Sequence, residues 1–233
     1  MPVALLILLH IVIINAVKQL EIQKKKVIVM STFQDIVVKR GRSGVRVEKN
    51  PTPYPLIGKG IQGAVFKLSE NRCVKIYPLA EHAASEQEVL RAAKTSKFFP
   101  KLYESGKHYT VMEYIEGVSL DEYFRNNGQW TTSLTKQLLT MLKERKQLGF
   151  PRCDTNLRHI LINNAGEIKV IDHVNTNKKR RPVPSSMIIG LEELGVLKRF
   201  LEDVKELDEE LYLKWKKSKV IGRYVLKHSE QNE

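Results

Sequence analysis

The residues best suited to chemistry are three glycines, a lysine, a glutamate and two aspartates. Gly58, Gly60 and Gly63 fall in GKGIQGAV. Such a turn lets backbone amides approach phosphate oxygens with no Cβ in the way. Lys75 stands inside the apolar run Cys73-Val74-Lys75-Ile76, where a buried ammonium needs an anionic partner. Glu86 suits that role better than Glu88, because Val89 and Leu90 follow it by three and four positions, toward the core face of a helix. Asp154 (in RCDTNLRHILI) precedes a short strand, and Asp172 (in IKVIDHV) ends an apolar one. The two lie eighteen residues apart and flank a hairpin, so both can project from one edge. One carboxylate can then accept a hydroxyl proton while the other holds a metal.

The elements that must position these groups follow from periodicity and turn chemistry. A dinucleotide-binding glycine turn opens a helix, whereas this one runs into AVFKL and then another strand. It reads as a strand-turn-strand flap, with LIGKGIQGAVFKL and RCVKIY separated by a turn at Ser69–Asn71. Glu81–Ala93 and Ser133–Leu148 have helical spacing, HYTVMEYI reads as a strand, and Leu161–Asn163 with Ile168–Ile171 reads as a hairpin. Leu191, Leu194, Leu197, Leu201, Val204 and Leu207 fall near one helical stripe. Residues 30–55 read as a lead-in segment, basic and proline-containing over 39–55.

The chain has 233 residues, long enough to bury a core without a disulfide or metal staple. Cys73 and Cys153 are its two cysteines, which excludes a disulfide framework and zinc spacing and points to a reducing compartment. The net charge of +13 favours anionic partners. It is uneven: the first 50 residues carry nine Lys/Arg against three Asp/Glu, and the remainder thirty against twenty-three. The body is only mildly basic, so charge does not by itself make this a nucleic-acid binder. The run Lys178-Lys179-Arg180-Arg181 reads as a solvated loop, or as a contact for an acidic substrate. Residues 3–17 are apolar, but as a helix they would span about 22 Å, short of the roughly 30 Å hydrocarbon core. Residues 1–29 read as a start-site artefact or a loose peripheral helix, or alternatively as a membrane anchor that leaves the domain on the cytoplasmic side.

In this order the motifs resemble the eukaryotic-type protein kinases, in particular the small bacterial atypical kinase-like proteins akin to the RIO and Kdo kinases. The resemblance covers roughly residues 54–175. It implies an α+β, bilobal kinase-like fold with a small N-lobe and hinge over 56–117, a reduced, mainly helical C-lobe over 118–220 and a polar tail over 221–233. By the resemblance, ATP would be held by Ile57, Gly58, Gly60, Gly63, Val65, Lys75, Glu86, Met112, Glu113 and Ile115, with Met112 as gatekeeper and Glu113 opening the hinge. Asp154 and Lys75 would be catalytic, and Asp172 and His159 would hold Mg²⁺ or Mn²⁺. The chain departs from the kinase pattern at Arg152 and Cys153, at Asn156, at His159 in place of an asparagine, and at Asp172-His173-Val174 in place of DFG. The implied activity is transfer of the ATP γ-phosphate to a serine or threonine hydroxyl of a protein, in the cytoplasm. The alternatives are a small-molecule or sugar hydroxyl as acceptor, acidic in character, and a nucleotide-binding pseudokinase.

Overall fold

The computed structural model describes residues 32–152, 154–174, 176 and 183–222. Residues 1–29, Cys153, the Lys178–Arg181 run and most of the polar tail lie outside them. Among the described residues, no helix is long and apolar enough to cross a membrane. The fold is mixed α+β, with antiparallel sheets in the first part of the chain and mostly helices in the second, and is compatible with a kinase-like fold.

Five strands make the main sheet: β3 (Leu56–Lys59), β4 (Ala64–Lys67), β5 (Arg72–Ile76), β6 (Leu102–Ser105) and β7 (Tyr109–Glu113), in the order β3-β4-β5-β7-β6. Strand alternation divides their side chains between two faces. Ala64, Phe66, Val74, Ile76 and Val111 share the face that packs against Ile36, Val38 and Val45. Those last three belong to a region expected from its charge to be an extended lead-in. Instead β1 (Val37–Arg40) and β2 (Val45–Lys49) pair antiparallel there as a hairpin. Arg40, Arg42, Arg46 and Lys49 give the segment a linker's composition, but Val38 and Val45 point inward among them.

The opposite face carries Val65, Lys75 and Cys73, paired in register as Val65↔Lys75, Lys75↔Thr110 and Cys73↔Met112. Helix α1 (Ala80–Ala92) adds Val89 and Leu90 to the core on this side. Beyond β7, the short strand β8 (Val118–Ser119) pairs with β9 (Ile160–Ile162), and β9 with β10 (Ile168–Val170), whose connecting turn ends at Gly166 with φ 75°. Ser119 caps α2 (Leu120–Arg125) by accepting from the Glu122 amide, and Thr131 caps α3 (Thr132–Gln147) by accepting from the Leu134 amide. Leu134, Leu138, Met141 and Leu142 of α3 enter the core beneath β9 and β10. The leucine stripe over 191–207 does not run along one helix. Gly195, at φ 72°, breaks it between α4 (Ser185–Glu193) and α5 (Leu197–Leu207), and α6 (Glu209–Lys216) follows.

Candidate active site

Strand β5 delivers Lys75 to the cleft side of the sheet, and the first turns of α1 bring Glu86 to meet it. Lys75 Nζ donates to Glu86 Oε2 at 2.7 Å and to Asp172 Oδ1 at 3.0 Å. Among the described residues this uses two of the ammonium's three donors and leaves one for a ligand oxygen. Burial works to depress the lysine, but the Glu86 and Asp172 carboxylates outweigh it and hold its pKa above the ordinary value. The remaining valences of Glu86 are filled: Tyr77 Oη donates to Oε2 at 2.7 Å and the His173 amide to Oε1 at 3.2 Å. Neither partner stands out in the sequence. Tyr77 could have been found from its place two residues beyond Lys75, on the same side of an extended chain.

Asp172 adopts φ 62°, a left-handed conformation that a non-glycine residue takes only where its surroundings enforce it. The turn sends its carboxylate to Lys75 and drops His173 into the core, where Nε2–H donates to the Val170 carbonyl at 2.9 Å and the ring lies against Phe99. Burial above all, and then the Arg145 and Lys75 charges, push His173 down to about 3, so it is neutral near pH 7. On the other side of Asp172, His159 Nε2 lies 3.7 Å from Oδ2. Arg158 Nε donates to that same Nε2 at 3.2 Å, which makes it an acceptor and places the proton on Nδ1. Burial, chiefly, lowers the pKa of His159, partly opposed by the Asp172 carboxylate. The one lone pair of the neutral imidazole is thus occupied by Arg158, and His159 could ligate an ion beside Asp172 only with Arg158 moved off Nε2.

A cleft of about 430 Å³ joins these groups. Ile57, Gly58, Gly60, Gly63 and Val65 line it from β3 and β4, and Met112, Glu113 and Ile115 from β7 and the segment after it, with Lys75, Glu86, His159 and Asp172 between. The three glycines are not equivalent. A Cβ on Gly63 would stand 2.7 Å from the Ile76 carbonyl oxygen, so this residue is glycine because β4 and β5 approach there. A Cβ on Gly60 would meet nothing within 4 Å, which leaves its backbone facing open space. The Glu113 side chain turns away to Lys169 on β10, with Nζ–O distances of 2.7 and 2.8 Å, a tie from the main sheet to the smaller one that sequence reasoning did not include.

Asp154 is placed differently from the other expected site residues. Its side chain is wholly buried. Ser186 donates to it twice, from its amide to Oδ1 at 2.8 Å and from Oγ to Oδ2 at 2.7 Å, and the Met187 amide adds a contact at 3.4 Å. The carboxylate thus stands over the first turn of α4, where amide donors and the helix dipole favour negative charge. It does not line the nucleotide-sized cleft. It lines an adjoining chamber of about 400 Å³ that shares Asp172 and His159 with that cleft.

No family model matches the chain. It is similar to a protein of Bacillus subtilis (strain 168) named "Putative serine/threonine-protein kinase YrzF", with 26% identity over 132 residues, covering 54% of this chain and 61% of that relative. The match thus spans about three-fifths of the relative's length, and the likeness is to a kinase-like protein at a coarse level.

Proposed function

We propose that the chain is an ATP-dependent phosphotransferase acting on a hydroxyl, with a serine or threonine side chain of a protein as acceptor. The observation that carries this reading is the Lys75 ammonium held between Glu86 and Asp172 under a glycine flap with open backbone. In this reading Lys75 binds the α- and β-phosphates and Glu86 fixes the lysine. Met112 closes the back of the adenine space. One charge count supports a divalent cation: Lys75 offsets only one of the two carboxylates it touches. Asp172 would hold the ion, joined by His159 once Arg158 leaves its Nε2. Two protein ligands are enough for Mg²⁺ or Mn²⁺, which keep waters and phosphate oxygens in their shell. When bound, such an ion neutralises charge on the β- and γ-phosphates. The acceptor oxygen forms its bond to the γ-phosphorus as the β–γ bridging P–O bond breaks, ADP leaves, and the hydroxyl proton passes to Asp154. An acceptor hydroxyl reaches Asp154 by taking the place on Oδ2 that Ser186 Oγ occupies. A cytoplasmic setting goes with ATP as donor.

The test is transfer of labelled γ-phosphate to protein substrates by the wild-type chain and by Asp172→Ala, alongside ATP titration. The reading requires transfer by the wild type and its loss in Asp172→Ala. A second reading, a nucleotide-binding module without phosphotransfer, is favoured by the burial of Asp154 against Ser186. It stands if ATP binds but neither the wild type nor Ser186→Ala transfers phosphate.

A further inference from the structure

The chamber beside the nucleotide cleft is the space in which an acceptor must meet Asp154. Lys59, Gly60, Gln62, His159 and Asp172 form the wall common to both. Beyond that wall the lining is basic, with Arg145, Arg152 and Arg158 added to Lys59, against the carboxylates of Asp154 and Asp172. Both carboxylates are already answered within the protein, Asp172 by Lys75 and Asp154 by Ser186, the Met187 amide and, at 4.0 Å, Arg152 Nη2. Arg145 is directed inward and donates to the Arg152 carbonyl at 3.1 Å. Arg158 spends its Nε on His159 and Arg152 turns one Nη toward Asp154, so each guanidinium keeps further donors for an incoming ligand, and neither residue lines the nucleotide cleft. The positive charge they add is not needed to hold a nucleotide.

We infer that the acceptor is an acidic peptide segment: a serine or threonine flanked by aspartate or glutamate, whose carboxylates pair with Arg152 and Arg158. This rests on the phosphotransferase reading and names its substrate class. A peptide fits better than an enclosed small acid because Arg158 is exposed at the rim, as is Ile61 at the tip of the flap, 76% accessible. Charge and apolar surface are thus offered where a chain running out of the chamber would pass. Paired guanidinium–carboxylate contacts of this kind are charge-assisted and geometrically selective.

The experiment uses the full chain loaded with ADP and three probes: the peptides EEESEEE and KKKSKKK, and the small hydroxy acid D-glycerate. The acidic peptide is expected to bind at least about tenfold more tightly than the basic one, as opposed charges at an interface dictate. Arg152→Glu/Arg158→Glu should weaken that binding by about tenfold or more and leave ATP affinity, titrated without metal so that the Arg158–His159 contact does not enter, within about twofold. Lys198→Glu/Lys205→Glu, the same charge change at exposed positions on α5, should leave peptide affinity nearly unchanged. Arg158→Glu alone, at an exposed site, must act in the same direction if the double variant loses its fold. Equal binding of the two peptides overturns the inference. So does D-glycerate binding more tightly than EEESEEE, an equal loss in the Lys198/Lys205 control, or a fall in ATP affinity that matches the fall in peptide affinity. Failure of the wild type to bind ATP at all overturns the phosphotransferase reading along with it, and the ATP titration shows that separately.

Discussion

Lys75 and Glu86 are 7% and 1% exposed, so their pair is a structural feature as much as part of the proposed phosphate site. Lys75→Met leaves the Glu86 carboxylate buried without its cation. Breaking a buried pair in this way costs about 3–5 kcal/mol. Denaturant unfolding should show that loss, and Lys75→Met/Glu86→Leu should recover much of it, because two apolar residues leave no buried charge. Phosphate transfer should fall by about 10²–10³-fold in both variants, which corresponds to a few kcal/mol at the transition state. Full recovery of stability with no loss of transfer would remove Lys75 from the chemistry. His173, deeper in the same site, makes a separate prediction. Its folded pKa of about 3 lies below the ordinary 6.5. The unfolded chain therefore takes up a proton that the folded chain refuses, and stability is fully present above about pH 6.5 and is lost as pH falls toward 3. In metal-free buffer, lowering pH from 7 to 5 should remove about 2 kcal/mol through this residue. His173→Phe should flatten that slope in unfolding curves; an unchanged slope would show that His173 is not its source.

The glycine flap and the strand behind it form the element on which the proposed nucleotide binding turns. Gly63→Ala places a methyl 2.7 Å from the backbone oxygen of Ile76, an atom that cannot swing aside, so β4 must move away from β5. Overpacking of this kind costs about 1–3 kcal/mol, and because Lys75 rides on β5 the ATP affinity should fall with it. Gly60→Ala has open space for its methyl and should leave the melting temperature of the nucleotide-free chain almost unchanged. Melting scans and ATP titrations of the two variants give the check. Equal destabilisation by both would mean that the flap, not the β4–β5 approach, sets the need for glycine. The β1–β2 hairpin belongs here too, since Ile36, Val38 and Val45 cover Phe66, Val74 and Val111 on the far face of the sheet that carries Lys75.

Across the molecule, two polar ties hold the sheets and helices in the arrangement the site needs. Glu113 and Lys169 join β7 to β10 beside the hinge segment. Asp203 on α5 is buried and accepts from Thr135 Oγ1 at 2.6 Å, Trp130 Nε1 at 3.0 Å and Thr132 Oγ1 at 3.1 Å, which fixes the start of α3 against α5. Asp203→Ala takes away the acceptor of the buried Thr135 hydroxyl and the half-buried Thr132 hydroxyl and leaves the indole N–H only Thr135 Oγ1, at about 1–3 kcal/mol. The expected result is a lowered denaturation midpoint with ATP affinity retained in the folded fraction, because none of these groups lines the cleft. Loss of ATP affinity in the folded protein would mean that the helical part reaches further into the site than its contacts indicate.

Most of the elements around the site were legible in the chain. The helix over 80–92, the strand carrying Lys75, the strand over 109–113 and the hairpin ahead of Asp172 follow from apolar periodicity and turn residues, which are local properties. The pairing of Lys75 with Glu86 was legible for the same reason: an ammonium in an apolar strand must find a carboxylate, and one helix followed closely. What could not be read was whatever depends on contacts between distant segments. The basic stretch at 37–49 is a hairpin because its alternate valines meet the back of a sheet formed by residues 56–113. Asp154 is turned toward Ser186, thirty-two residues on, by the way α4 folds back over it. The conformation of Asp172, the burial that discharges His173 and the chamber that Arg152 and Arg158 line all arise from packing. No periodicity of residue types encodes which face of one segment another will cover.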